Sequence, residues 1–225
     1  MEVTNPLYKN QGVHVIASIF TVEEGITKVL LIKRKNKPFK DNWALVGGAL
    51  YNNEELLQGM KREIKEKTGI DELELYLCNV FSKVDRSPLM RMLAISYLGV
   101  IDSEKVKYLK NTLKTSDADW VPIDKVPILA YDHNEILLDA LENLKKQIEK
   151  TNILKSLFPN EFTIPELQKV YESILNKEFD RRNFRRKLIT MNLIKDTNKT
   201  KVFAGNKPAK LYKFNEKIDD NKSVL

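Results

Sequence analysis

Through the first two thirds of the chain, apolar positions fall in short runs rich in β-branched residues; through the last third they recur at helical spacing. Residues 14–20 and 28–34 are two such runs on either side of Glu23-Glu24-Gly25, which predicts a hairpin. A turn-rich stretch, 37–42, leads into Trp43-Ala44-Leu45-Val46 and the pair Gly47-Gly48. From Asn53 to Lys67, Leu56, Leu57, Met60 and Ile64 recur every three or four positions. A helix with that face inward is expected there, capped by Asn52 or Asn53 and ended by Gly69. Strand-like segments follow at 73–81, 92–101 and 118–122, then a helical run from Asn134 to about Glu149 with Ile136, Leu137, Ala140, Leu141 and Leu144 on one face. Strands flanked by helices in this way predict an α/β fold, a mixed sheet between helical layers.

After Lys150 the pattern changes. Thr163-Ile164-Pro165-Glu166 reads as a capping box with proline in the first turn, opening a helix that carries Leu167, Val170, Tyr171, Ile174 and Leu175. Asp180 can cap a second helix with Phe184, Leu188 and Met191 inward. Leu193-Ile194 and Leu211-Tyr212-Lys213-Phe214, separated by a polar stretch, read as a hairpin. Two helices and a hairpin are the outline of a winged helix-turn-helix. The expected organisation is therefore a first domain over 1–149, a winged helix-turn-helix over 150–218 and a polar tail over 219–225.

Charge sharpens this division. Residues 1–150 hold 22 Lys and Arg against 22 Asp and Glu, and residues 151–225 hold 16 against 9, so the whole excess of +7 lies in the last third. One unit is neutral and the other is drawn to a polyanion. Cys78, the only cysteine, excludes an intramolecular disulfide and zinc-finger spacing and suits a reducing cytoplasm. Residues 1–11 lack the apolar core of a signal peptide, and runs such as 29–32 fall far short of the roughly 20 residues that span a bilayer. A cytoplasmic protein with no membrane partner is expected.

Candidate chemistry concentrates in two places. The first runs from Gly48 through five residues to Glu54, then seven residues to Arg62-Glu63-Ile64-Lys65-Glu66-Lys67-Thr68-Gly69-Ile70. This resembles the Nudix signature with one glutamate exchanged. Positions 63, 66 and 67 share a helix face. In hydrolases with this box that face holds carboxylates for magnesium, a hard cation that wants oxygen ligands and neutralises a pyrophosphate under attack by water. Here Glu63 and Glu66 remain, while Lys67 sets an ammonium among them, able to repel a metal and to pair with Glu63. Metal binding at Glu63 and Glu66 is expected to be weak or absent, no cofactor is required, and no residue is assigned as catalytic.

The second is Arg181, Arg182, Arg185, Arg186 and Lys187, five cations within seven residues, with no acidic residue from Arg181 to Lys195. A structural helix would interleave signs to gain ion pairs, so this pattern points to DNA. Lys199, Lys201, Lys207 and Lys210 give the hairpin the same sign. Tyr171, Tyr212 and Phe214 follow the apolar periodicity and are read as core.

Together the two halves resemble the NrtR family, Nudix-related transcriptional regulators of NAD metabolism. The supporting stretches are Trp43 to Gly48, the altered box, Asp85-Arg86-Ser87-Pro88, Leu129-Ala130-Tyr131-Asp132-His133, and Phe162 to Gln168 with Asp180-Arg181-Arg182-Asn183-Phe184-Arg185-Arg186-Lys187. Val46 replaces the proline usual before the glycine pair. The resemblance implies a Nudix α/β/α sandwich, a homodimeric repressor of palindromic double-stranded operators, and a small-molecule effector, ADP-ribose or a related nucleotide. It also implies effector contacts at Arg34, Asp85, Arg86, Arg91, Asp132 and His133, with Tyr131 against a base or ribose, and adds Asn183 to the DNA-reading helix. Arginines suit diphosphates, and Asp or His can bond sugar hydroxyls; Asp132-His133 also reads as the capping turn of the following helix. Two other readings stand beside this one: a working Nudix hydrolase of ADP-ribose or a sugar nucleotide, and a repressor of sugar use that answers to a pentose.

Overall fold

The computed structural model describes residues 10–158, 160–202 and 208–215. The chain divides into two compact units. One consists of residues up to Phe20 together with Lys28–Leu141, the other of Thr21–Thr27 together with the described residues from Glu142 onward. In chain order the elements are β1 (Gly12–Glu23), β2 (Ile26–Arg34), β3 (Trp43–Ala44), β4 (Val46–Ala49) and α1 (Leu56–Thr68). Then come β5 (Leu75–Phe81), β6 (Met92–Val100), β7 (Thr115–Pro122) and α2 (His133–Ile148). The division between units falls within α2 rather than after it.

The first unit is built on a seven-stranded mixed sheet in the order β3-β2-β1-β6-β5, with β4 added to β1 and β7 to β2. β1 and β6 run parallel, in register from Gly12 opposite Met92 to Phe20 opposite Val100, while β4, β5 and β7 pair antiparallel. Glu24 and Gly25 close the β1–β2 hairpin with φ of 52° and 83°, the left-handed pair that suits the twist of a two-residue turn. Val15, Ala17 and Ile19 of β1 share a core with Leu30, Ile32, Met60 and Ile64. The alternate residues Ile16, Ser18 and Phe20 point the other way and are buried too, so both faces of the sheet are covered.

Helix α1 departs from expectation at its start. It begins at Leu56, and its cap is Glu55 rather than Asn52 or Asn53, with the Glu55 amide donating to Gln58 Oε1 at 2.9 Å. Leu56 and Leu57 stay exposed, and the buried stripe is Gly59, Met60, Glu63, Ile64, Lys67 and Thr68. The reason is packing: close contact begins one turn later, where a Cβ on Gly59 would strike Leu50 and Glu54 and a Cβ on Gly48 would strike the Glu63 carboxylate. Gly69 ends the helix at φ 76°, as its position predicts.

In the second unit a short 3-10 turn, Ile153–Leu157, precedes α3 (Ile164–Leu175), α4 (Arg181–Thr190) and the hairpin of β8 (Ile194–Lys201) with β9 (Ala209–Phe214). The Thr163 amide donates to Glu166 Oε2 at 2.7 Å, one half of the capping box of α3. Asp180 Oδ1 accepts from the Asn183 amide at 2.9 Å and caps α4. Phe184, Leu188 and Met191 face inward beside Tyr171, Tyr212 and Phe214, all buried. Phe162 exchanges backbone hydrogen bonds with Tyr212, adding a third strand position to the hairpin. Helix, helix and flanking hairpin make a winged helix-turn-helix. Lys207 and the expected tail from 219 lie outside the described residues. Among the described residues, no helix is long and apolar enough to cross a membrane.

Candidate functional site

Arg62 organises the loop that enters α1. Its guanidinium donates to Glu54 at 2.6 and 2.8 Å and to the Ala49 carbonyl at 2.9 Å, and it stacks 3.8 Å above the Tyr51 ring. Glu54 also accepts from the Tyr51 amide at 2.7 Å. These bonds hold the Glu54 carboxyl down at about 2, mainly through Arg62. The spacing from Glu54 to Arg62 therefore shapes the loop between the glycine pair of β4 and α1.

Glu63 is buried with cations on every oxygen. Arg62 reaches Oε1 at 2.5 Å, Lys114 stands 3.5 Å from the same oxygen, and Lys67 Nζ lies 3.0 Å from Oε2. Lys67 also donates to the Gly47 carbonyl. Glu66, more exposed, pairs with Lys114 at 2.5 Å and with Arg62 at 3.4 Å. Burial would raise the Glu63 carboxyl, yet Lys67, Arg62 and Lys114 outweigh it and hold the group below the ordinary carboxylate range. A magnesium ion needs several oxygens in near-octahedral array, not already committed to ammonium and guanidinium groups. As placed, these residues do not fit that ion.

The network opens into a cleft of about 270 Å³ in the first unit. Its floor includes Gly47, Gly48, Glu63 and Lys67; its walls include Arg34, Lys35, Lys114, Tyr131 and His133. Tyr131 and Phe39 both sit in left-handed backbone, at φ 55° and 59°, a conformation that costs a non-glycine residue about 1 kcal/mol or more. Their rings meet at 4.6 Å, Tyr131 stacks on His133 at 5.6 Å, and the Arg34 guanidinium lies 5.1 Å from the Tyr131 ring. Flat aromatic surface beside Arg34, Lys35 and Lys114 suits a molecule with both a ring and an anionic group.

The structure brings Arg34, Tyr131 and His133 to this cleft and turns the other expected contacts elsewhere. Arg86 and Asp132 form a buried, two-pronged pair at 2.7 and 2.9 Å. Each satisfies the other, which anchors the loop around Arg86 to the start of α2. Arg91 donates to the carbonyls of Ser82 and Lys83 at 2.7 and 2.9 Å, and Asp85 is exposed; none of these four lines the cleft. His133 is the first residue of α2, and its Nδ1 accepts from the Leu45 amide at 3.1 Å. Burial, then the charge of Arg86, pushes its pKa down to about 3, so the ring is neutral and holds the strand before the glycine pair.

Lys114 and Lys35 were not singled out by sequence. Lys114 lies in a polar loop with no motif around it, brought to Glu66 by the placement of β7. That loop is fixed: Thr115 Oγ1 donates to the Lys67 carbonyl at 3.1 Å, Thr112 Oγ1 accepts from the amides of Lys114 and Thr115 at 3.1 Å each, and Lys35 Nζ donates to Asn111 Oδ1 at 2.9 Å.

On the second unit, Arg181, Arg182, Asn183, Arg185, Arg186 and Lys187 are all exposed on α4. Among the described residues, no carboxylate pairs with any of these five cations. Arg185 donates to the Tyr212 hydroxyl at 2.8 Å, and Arg186 to Asn183 Oδ1 at 2.9 Å. The hairpin lysines differ from these: Lys199 pairs with Glu161 at 2.9 Å and Lys210 with Asp196 at 2.8 Å; all three of Lys199, Lys201 and Lys210 are exposed.

Comparison with known proteins follows the same division. Residues 12–144 match the NUDIX domain, and residues 155–214 match the NrtR DNA-binding winged helix domain. The chain is 33% identical over 201 residues to the ADPR responsive transcriptional repressor NtrR of Acinetobacter baylyi, covering 88% of this chain and 79% of that protein. It is 36% identical over 129 residues to the ADP-ribose pyrophosphatase of Methanocaldococcus jannaschii, covering 57% of this chain and 74% of the other. Among solved structures it resembles Shewanella oneidensis NrtR complexed with a 27mer DNA, with TM-score 0.74, 26% identity and coverage of 90% and 93% of the two chains. The NUDIX domain of the same protein complexed with ADP ribose matches with TM-score 0.57 and 28% identity, over 62% of this chain and 93% of that one.

Proposed function

Because this chain belongs to the NrtR family of Nudix-related transcriptional regulators, we propose that it is a repressor that holds operator DNA through α4 and its hairpin and lets go when ADP-ribose fills the Nudix cleft. The observation that carries the reading is the contrast of charge on one chain. Five cations of α4 stand exposed with no carboxylate partner among the described residues, while the carboxylates of the altered box are occupied by Arg62, Lys67 and Lys114. The named relatives, an ADPR responsive repressor and an NrtR solved with DNA and with ADP ribose, support it.

In this reading α4 enters the major groove. Arg181, Arg182, Asn183, Arg186 and Lys187 face bases and phosphates, and Arg185, leaning on Tyr212, sets the hairpin against the backbone. Lys199, Lys201 and Lys210 add phosphate contacts. A homodimer presents two such helices to a palindrome, and ADP-ribose favours a dimer geometry whose helices no longer match half-sites about one helical turn apart. The site of action is the cytoplasm, and the regulated genes are those of NAD metabolism. The cleft needs no cofactor, and the role is regulatory rather than catalytic.

The test is anisotropy with duplexes selected from a random pool by the full chain. One preferred sequence should emerge, its affinity should fall steeply with salt, and ADP-ribose should weaken it. Binding with no sequence preference, or untouched by ADP-ribose, would sink the proposal. One observation favours a second reading: Glu63 and Glu66 of the Nudix signature are retained, and one relative is an ADP-ribose pyrophosphatase. A hydrolase would release AMP from ADP-ribose with magnesium at several turnovers per second, roughly the ordinary enzyme range; the proposed regulator should give none at that rate.

A further inference from the structure

We propose that the cleft takes its nucleoside diphosphate without a divalent ion, because Lys114 and Lys67 are built in where a metal would stand, and that Lys114 is the residue that carries its charge across to the diphosphate. This rests on the reading that the cleft receives ADP-ribose. Three observations support it. Glu63 and Glu66 have three cations between them, which leaves a metal no uncommitted carboxylate in this network. Lys114 and Lys67 both line the cleft, so the side that faces a ligand is positive rather than negative. The two ammoniums also differ in freedom: the Lys67 side chain is 11% exposed and fixed between Glu63 and Gly47, while that of Lys114 is 36% exposed.

The fixed backbone of Lys114 makes it suited to swing. Thr112 and Thr115 tie its loop to α1 and leave only the four-carbon stem to move. In the structure the ammonium rests on Glu66. A diphosphate arriving beside Lys35 and Arg34 offers it a second anion, and the charge-assisted bonds so formed are among the stronger polar contacts available to a ligand. Glu66 keeps Arg62, so it is not stranded when Lys114 turns away. Lys67 stays behind to neutralise Glu63, which would otherwise repel the phosphates at close range.

The experiment is calorimetric titration of the full chain with ADP-ribose and, separately, with inorganic pyrophosphate, each with a chelator and with millimolar magnesium. ADP-ribose affinity should agree within about twofold between the two buffers, and Lys114→Met should weaken it by about tenfold or more in both. A doubly changed chain, Lys67→Glu with Lys114→Met, should bind ADP-ribose measurably only when magnesium is added. Thermal melting of each variant checks that it is folded; Lys114→Gln serves as a second test should the methionine change perturb the loop. Binding of ADP-ribose by the natural chain only with magnesium would overturn this inference and leave the effector assignment standing. Metal-free binding of pyrophosphate, lost in Lys114→Met, with no binding of ADP-ribose would uphold the cationic site and overturn the effector. Undiminished affinity in both Lys114 variants would remove Lys114 from the site.

Discussion

Arginine and lysine do opposite work in the two units. In the first, Arg62, Lys67 and Lys114 are turned onto Glu54, Glu63 and Glu66, and the cluster is nearly neutral. In the second, the five cations of α4 are exposed and, among the described residues, none forms an ion pair with a carboxylate. A cation buried against carboxylates, as Lys67 is, is committed to its own fold, whereas an exposed one, above all an unpaired one, has its field available to a partner. Composition alone would count these residues alike. Their surroundings decide that one group positions a cleft and the other recruits a polyanion.

Reversing charge on α4 should break the comparison most severely. Arg181→Glu with Arg182→Glu converts two cations into repelling anions on an exposed surface, so folding should be little changed while operator affinity falls roughly a thousandfold, about 4 kcal/mol. The slope of log affinity against log salt should flatten by about two. Anisotropy over a salt series measures both quantities; an unchanged slope would mean that these arginines do not touch phosphate.

Within the paired cluster, Lys67→Glu should act on stability instead. It puts a second carboxylate beside buried Glu63 and removes that residue's ammonium, a loss of about 3 kcal/mol by analogy with broken buried pairs, moderated here by Arg62 and Lys114. Urea denaturation with a chelator measures the cost. Added magnesium should recover part of it, since the new carboxylate restores an oxygen-rich face. Stability equal to that of the natural chain in both buffers would show that Lys67 neutralises nothing.

How far this site could be read from sequence depends on the range of the contacts. The glycine pair, the helix end at Gly69, the capping box at Thr163 and the inward face of α4 are local, and their residue types announce them. The closeness of Lys67 to Glu63 also follows from helical spacing. Lys114 meets Glu63 from 51 positions away and Arg86 meets Asp132 from 46, distances that only strand order can close. Lys114 lies in no motif, and although Arg86 and Asp132 each lie in a stretch that carries the family resemblance, nothing local announces that they pair. Leu56 and Leu57 show the converse: their apolar character suggested a buried face, but packing of α1 begins at Gly59, so hydrophobicity at a helix start did not specify burial.

Acid should separate the units next. His133 takes up a proton near 6.5 when unfolded but only near 3 in place, because burial and then Arg86 oppose the charge. Its folded value is depressed, so its stabilising contribution is full above 6.5 and is lost as pH falls from 6.5 towards 3. His14, pushed down to about 4 by burial and then Arg86, acts in the same direction. Each histidine should cost the first unit roughly 1.4 kcal/mol per pH unit in this window. The chain has only these two histidines, so the second unit has none. Urea denaturation between about pH 6.5 and pH 5 should show this loss, and His133→Gln should remove about half of the slope. A slope unaltered by that change would mean that His133 is already charged in the fold.

The smallest effect tests whether the exposed surface is tuned as well as positive. Asp180 caps α4 through the Asn183 amide, and its carboxylate is the anion adjacent in sequence to Arg181. Its two roles oppose each other: the cap stabilises the helix, while the negative charge repels the same phosphates that α4 attracts. Asparagine caps about as well as aspartate and loses only the favourable charge at the helix N-terminus, so Asp180→Asn should cost less than about 0.5 kcal/mol of stability. Removing the repulsion should tighten operator binding by about two- to threefold at low salt, a gain that fades as screening increases. Asp180→Ala discards the cap as well and should cost about 1 kcal/mol of stability. If both variants bind operator equally well despite that difference, the cap serves the fold alone; if only the asparagine form binds more tightly, helix order and surface charge are jointly required for reading DNA.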